Sequence, residues 1–219
     1  MDTQTGNLST TELTRVPQQA RSREKFDAIL ATTLRLIHEK GYEQVAVREI
    51  ARQVGVPIAS VYQYFPNKLS IVRQLWESYT SSFAELLGSE LATIAANPTE
   101  AMLERVVGNV VDHMIDQHRE NPELLAVWRA VDGSAELRAL NRQDTLNVAE
   151  AITAAVMAAR PDVDEETMMS RALIASETAS GTVKLAQELA AERLPALYEN
   201  LKEILVSIFS GLIGAPPQS

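Results

Sequence analysis

Between positions 57 and 68 stand two phenolic hydroxyls, Tyr62 and Tyr64, and one ammonium, Lys68. Phenols donate hydrogen bonds to phosphate oxygens, and a cation at a helix start adds its charge to the positive end of the helix dipole. Just ahead lie Pro57, Ile58, Ala59 and Ser60. So lightly decorated a run lets a helix backbone sit deep in the major groove of duplex DNA. Other reactive groups assemble nothing comparable. His113 and His118 are five positions apart, about 140° round a helix, so they cannot ligate one metal from one face. Asp112 and Asp116 share a face that reads as solvated surface. There is no Gly-rich phosphate loop, no nucleophile elbow and no cysteine. The chain is expected to be no enzyme and to need no metal or cofactor.

The elements that must position these residues are helical. From Arg21 to Lys40, Phe26, Ile29, Leu30, Thr33, Leu34 and Ile37 recur at helical spacing, and Gly41 supplies a stop. A second helix spans Val47 to Val54 and ends at Gly55, where a sharp turn needs a residue tolerant of positive φ. A third starts after Pro57 and runs to Phe65. Asn67 then caps a fourth that reaches about Leu87. Two short helices around a tight glycine turn make a helix-turn-helix over 46–65. Ile50, Ala51, Val54, Val61 and Phe65 read as its core. Further helices are predicted at 98–118, 122–132, 135–159, 164–190 and 193–212, so the fold is all-α with about nine helices.

Composition agrees with the helices and adds a division of labour. With 46% hydrophobic residues, 9 Gly and 9 Pro in 219, the chain can bury a core with few breaks. Its net charge of −9 is unevenly spread. Residues 15–75 carry ten Lys and Arg against five Asp and Glu, a net +5, while residues 76–219 carry −12. A basic first third suits phosphate contact, and the acidic remainder needs another job. No apolar run is long enough to cross a membrane. Residues 1–20 are polar, read as a disordered arm and lack the apolar stretch of a signal peptide. A cytoplasmic location is expected.

Arg48-Glu49-Ile50-Ala51, then Gly55-Val56, then Val61-Tyr62-x-Tyr64-Phe65-x-Asn67-Lys68 form a set of fixed spacings. The stretch carrying them, about 21–82, resembles the DNA-binding domain of the TetR family of bacterial transcriptional regulators. That resemblance implies a base-reading surface at Arg48, Pro57, Ile58, Ala59 and Ser60, and phosphate contacts at Tyr62, Tyr64 and Lys68. Two positions depart from the family pattern. Val47 stands where many members have a capping Thr, and Tyr64 where members often have His. The resemblance further implies a ligand-responsive regulator that binds a palindromic operator as a homodimer. Most members are repressors; an activator of the same fold is the alternative, and a helical interaction adaptor would leave the 46–68 pattern unexplained.

Residues 83–219 are then expected to form a domain for ligand binding and dimerisation. A helix rich in small residues carries Ala172, Ala175, Ser176 and Ala179, and the last helix shows Leu201, Leu205 and Ile208 on a wide apolar face. Paired with a second copy, these would make a four-helix bundle; alternatively both faces are spent inside one chain. For a hydrophobic effector, Trp76, Tyr79 and Phe83 form an aromatic stripe, joined by Val110, Met114, His118, Trp128 and Met157. Adaptable Met beside aromatics suits an apolar pocket, though the same residues serve equally as ordinary core.

Overall fold

The computed structural model describes residues 19–213. Among these the chain forms nine α-helices and two 3-10 turns, with no strand. In order they are α1 (Ala20–Lys40), a 3-10 turn (Tyr42–Gln44), α2 (Val47–Val54), α3 (Ile58–Tyr62), α4 (Lys68–Ala96) and α5 (Glu100–Glu120). Then come α6 (Leu124–Gly133), α7 (Ala135–Ala159), α8 (Glu165–Ala186), a second 3-10 turn (Ala191–Arg193) and α9 (Leu194–Phe209). The expected N-terminal arm lies outside the described residues up to residue 18, but Ala20 opens α1 instead of closing the arm.

Several helices end elsewhere than the sequence predicts, α8 at Ala186 and α9 at Phe209 among them, and α4 and α3 show why. Helix α4 passes Leu87 and continues to Ala96, because Leu91 and Ile94 prolong its buried stripe until Asn97-Pro98 halts it. Helix α3 stops at Tyr62, and Tyr64 and Phe65 follow in a turn, their amides both donating to the Val61 carbonyl at 3.0 and 2.9 Å.

The chain divides into two compact units, Met1–Tyr79 with Glu123–Arg138, and Thr80–Pro122 with Ala139–Ser219. The first is therefore not one run of sequence. Helix α6, which the sequence reading assigns to the second domain, packs against α1 and the Tyr42–Gln44 turn. Its Leu124, Val127, Ala130 and Val131 are buried. Inner residues of the other helices complete that core, among them Ile29, Ile37, Ile50, Val61 and Ile71. Phe26 stacks on Phe65 with ring centroids 4.8 Å apart.

In the second unit α8 and α5 both pack on α9. Ala172, Ala175 and Ala179 of α8 are buried in one hydrophobic cluster with Leu201 and Leu205 of α9. Ser176 turns its hydroxyl back to the Ala172 carbonyl at 2.8 Å, and Ile208 packs half-buried on the same cluster. Of the residues expected to face a second copy, Ala172, Ala175, Ala179, Leu201 and Leu205 are thus buried within the chain, while Ser176 and Ile208 stay half-buried. Small side chains allow close helix approach equally within a chain or across an interface, and here they are spent within the chain. The large apolar residues left exposed on the two helices are Ile174, Leu185 and Ile204.

Two arginines fasten the end of α9. Arg171 donates to the Ile208 carbonyl at 2.7 Å, and Arg160 donates to the Leu212 carbonyl at 2.8 Å while gripping both oxygens of Asp162. The Ile208 carbonyl, in the last turn of α9, is a terminal helix carbonyl satisfied in this way, and the Leu212 carbonyl lies just past the helix end.

Candidate nucleic-acid interface

The helix-turn-helix is set by its glycine. Gly55 adopts the left-handed conformation (φ 76°, ψ 31°), which lets its own amide donate to Arg52 at 3.3 Å and the Val56 amide donate to Ala51 at 3.0 Å. This paired closure satisfies the last carbonyls of α2 and swings the chain sharply into α3. At its other end α2 has no side-chain cap: Ala46 occupies that position, with Val47 following as the first helical residue. Pro57 then enters extended (φ −59°, ψ 142°), and its carbonyl accepts from the Ser60 amide at 2.8 Å.

Only five residues long, α3 sorts cleanly into two faces. Val61 and, just beyond the helix, Phe65 are fully buried and pin it to the core. Pro57, Ile58, Ala59, Tyr62 and Gln63 are exposed and Ser60 is half-buried. Gln63 was not among the residues singled out by sequence. Its signal was available, since it is the polar residue following Tyr62 on the side away from Val61.

Tyr62 and Tyr64 part company here. Tyr62 is 45% exposed, but Tyr64 is only 6% exposed, its ring edge-on to Phe26 at 5.8 Å. The phosphate contact expected at Tyr64 thus falls on a ring packed into the core, and Tyr62 is the exposed phenol of the pair. A residue three positions after the buried Val61 falls on the same helical face.

Lys68 is half-buried at the start of α4. Its ammonium donates to the Tyr42 carbonyl at 2.7 Å and lies 3.9 Å from the centre of the Tyr42 ring. Burial lowers the pKa of this amine, and the nearby Glu43 carboxylate works against that. The helix start is held by a reciprocal cap: Asn67 accepts from the Ser70 amide at 2.8 Å, while the Ser70 hydroxyl accepts from the Asn67 amide at 3.3 Å.

Charged side chains between α1 and α2 mostly occupy one another. Glu49 pairs with Lys40, whose hydrogen bond holds the Glu49 carboxyl below its usual pKa. Arg35 bonds both Glu39, at 2.8 Å, and Gln53. Arg48 is exposed on α2 and makes no ion pair among the described residues.

The residues proposed for a pocket fall into two groups, one in each unit. In the first, the rings of Trp76, Tyr79 and Trp128 lie 5.7 to 6.1 Å apart, centre to centre. Burial pushes the Tyr79 hydroxyl well above its ordinary pKa. In the second, Met114 and His118 are buried, with Nδ1 of His118 donating to the Met114 carbonyl at 2.8 Å. Burial lowers the pKa of that imidazole and favours its neutral form. Phe83, Val110 and Met157 pack half-buried against the core of the second unit. Among the described residues no group of three or more His, Cys, Asp or Glu could hold a metal. None of the described helices is long and apolar enough to cross a membrane.

Comparisons with known proteins converge on one family. A model of bacterial regulatory proteins of the tetR family matches residues 29–75, which include every residue of the interface above. A second model, the tetracyclin repressor-like C-terminal domain, matches residues 101–210. The nucleoid occlusion factor SlmA of Haemophilus influenzae is 28% identical over 106 residues, covering 48% of this chain and 46% of that protein. The chain spans about half the length of the curated relatives it first matches. Among solved structures, a TetR-family regulator from Streptomyces coelicolor aligns with a TM-score of 0.58 and 22% identity, covering 86% of this chain and 99% of that one. A complex of SmeT with triclosan aligns at 0.65 and 16% identity, covering 90% and 98%. At these identities the structural matches speak for the fold alone.

Proposed function

The chain belongs to the TetR family of bacterial regulatory proteins, and from that premise we propose that it is a DNA-binding transcriptional regulator, a repressor that grips a two-fold-symmetric operator as a homodimer. The observation that carries this reading is the outward face of α3. Pro57, Ile58, Ala59 and Tyr62 are exposed on a helix whose other side is locked into the core, within a segment of net +5 charge. A surface held this rigidly can enter a major groove, and the surrounding charge supplies attraction to phosphates. Arg48 and Ser60 read bases beside Pro57, Ile58 and Ala59, while Tyr62 and Lys68 contact the phosphate backbone.

Dimerisation is assigned to the second unit, through the exposed side of α8 and α9 at Ile174, Leu185 and Ile204. Large apolar side chains about half exposed on neighbouring helices are the pattern of a face awaiting a partner. The effector is an apolar small molecule, and its seat in the first unit is the cluster of Trp76, Tyr79 and Trp128. The fold is compatible with such ligands, since the similarly folded SmeT forms a complex with triclosan. The regulator works in the cytoplasm.

The deciding experiment is fluorescence anisotropy of a labelled duplex covering the region upstream of the protein's own gene. Tight binding that falls steeply with salt, and exceeds binding to a scrambled duplex of equal length, is expected. Equal binding to both duplexes would remove the reading.

A further inference from the structure

Two of the five large apolar side chains that stand exposed among the described residues, Ile58 at 43% and Tyr62 at 45%, sit on the five-residue helix α3. They are four positions apart and so share one face. Pro57 and Ala59, also exposed, extend the apolar surface. Between 57 and 62 there is no Arg, Lys, Asn or Gln, and Gln63 stands only past the far end of the helix, so its leading turn lacks the forked donors that read guanine and the amides that read adenine. The major groove has one apolar feature to offer such a surface, the C5 methyl group of thymine. Ile58 is the first residue of α3, and the leading residues of a recognition helix are those that meet base edges.

We infer that Ile58 selects the operator by packing on a thymine methyl in each half-site, with Pro57 and Ala59 closing the contact against water. The inference rests on the reading of the protein as an operator-binding regulator. Tyr62, Lys68 and the surrounding positive charge hold the duplex, but the methyl group decides which base pair is accepted at this position. Burying one methyl contributes about a fourfold change in affinity, and two half-sites together about fifteenfold.

The test begins with selection by the full chain from a random duplex library, followed by resynthesis of the enriched site with deoxyuridine replacing thymidine one position at a time. Deoxyuridine keeps every hydrogen-bonding group and removes only the methyl. The expected result is an enriched palindrome with one thymine position per half-site where the exchange weakens binding about fourfold. In Ile58→Ala, whose side chain is too exposed for the change to disturb folding, thymine and uracil at that position should bind alike. An enriched site indifferent to deoxyuridine everywhere would overturn the methyl contact and leave operator binding standing. A uracil penalty undiminished in Ile58→Ala would overturn the assignment to Ile58. No enrichment at all would bring down the operator reading and the inference with it.

Discussion

The ammonium of Lys68 closes on a single residue twice, accepted by the carbonyl of Tyr42 at 2.7 Å and resting 3.9 Å from the centre of that residue's ring. One side chain at the head of α4 thus pins the turn that follows α1. In Lys68→Ala both interactions vanish, and the protein should lose about 1–2 kcal/mol of stability. If Lys68 also meets phosphate, the variant should bind specific and random duplexes less tightly by the same factor. The salt slope should then fall by about one unit for each phosphate no longer neutralised. Denaturant titration measures the first effect and anisotropy at several salt concentrations the second. A variant that binds every duplex like wild type would restrict Lys68 to the turn.

The two tyrosines that bracket Gln63 should fail differently. Tyr64→Ala empties a buried site against Phe26 and Phe65 and should cost about 3–5 kcal/mol, as aromatic truncations in cores do. Tyr62→Ala removes an exposed ring and should leave stability within about 0.5 kcal/mol, while weakening DNA binding. Urea unfolding and anisotropy on the same two variants separate these outcomes.

Light scattering should separate the inner and outer faces of α8 and α9. Leu185→Glu and Ile204→Glu place charges on exposed positions, so each should give a folded monomer whose melting temperature no longer depends on protein concentration. Ala179→Arg forces a guanidinium into the core of one chain and should impair folding itself. Two outer-face variants that remain dimers as tight as wild type would relocate the interface.

His118 makes stability depend on pH near neutrality. Its folded-state pKa is depressed by burial, so from about its ordinary value of 6.5 downward the unfolded chain binds the proton more readily than the folded one. Stability should therefore be full above pH 6.5 and decline as the pH falls below it. Replacing His118 with Leu should flatten melting temperature between pH 7 and 5. At lower pH, Asp162, held below its ordinary value of 3.8 by the hydrogen bond from Arg160, adds a second decline. Asp162→Asn should flatten that lower window and leave the upper one unchanged.

Both tryptophans of the chain lie in one cluster, Trp76 against Trp128 at 5.7 Å. All tryptophan emission therefore reports on that cluster. An apolar effector seated there should shift or quench it in step with release of DNA. A compound that releases DNA with no change in emission would place the effector elsewhere.

Some of this fold is legible in the sequence alone. The bounds of α2 and α7 can be read because Gly55 ends one and Ser134 and Arg160-Pro161 flank the other. The helix-turn-helix around Gly55 is equally plain from spacing. Alternation of faces can also separate Tyr62 from Tyr64, since Val61 and Tyr64 share one side of the turn and Ile58 and Tyr62 the other. What sequence does not reveal is whether Ala172, Ala175 and Ala179 meet α9 of their own chain or a second copy. Alanine packs alike against either, and only its burial against Leu201 and Leu205 in the folded chain distinguishes them. Nor does any local signal attach Glu123–Arg138 to the first unit, because that attachment joins segments distant in sequence.

Helix α3 is too short to persist alone, and it exists because Val61 and Phe65 anchor it from beneath. The residues proposed to meet DNA and the residues that hold the helix are therefore different residues. Mutations at Ile58, Ala59 or Tyr62 can accumulate at almost no cost to folding, so the protein can drift toward new target sites through a series of stable intermediates. Descendants of this chain could diverge in what they regulate long before they diverge in how they fold.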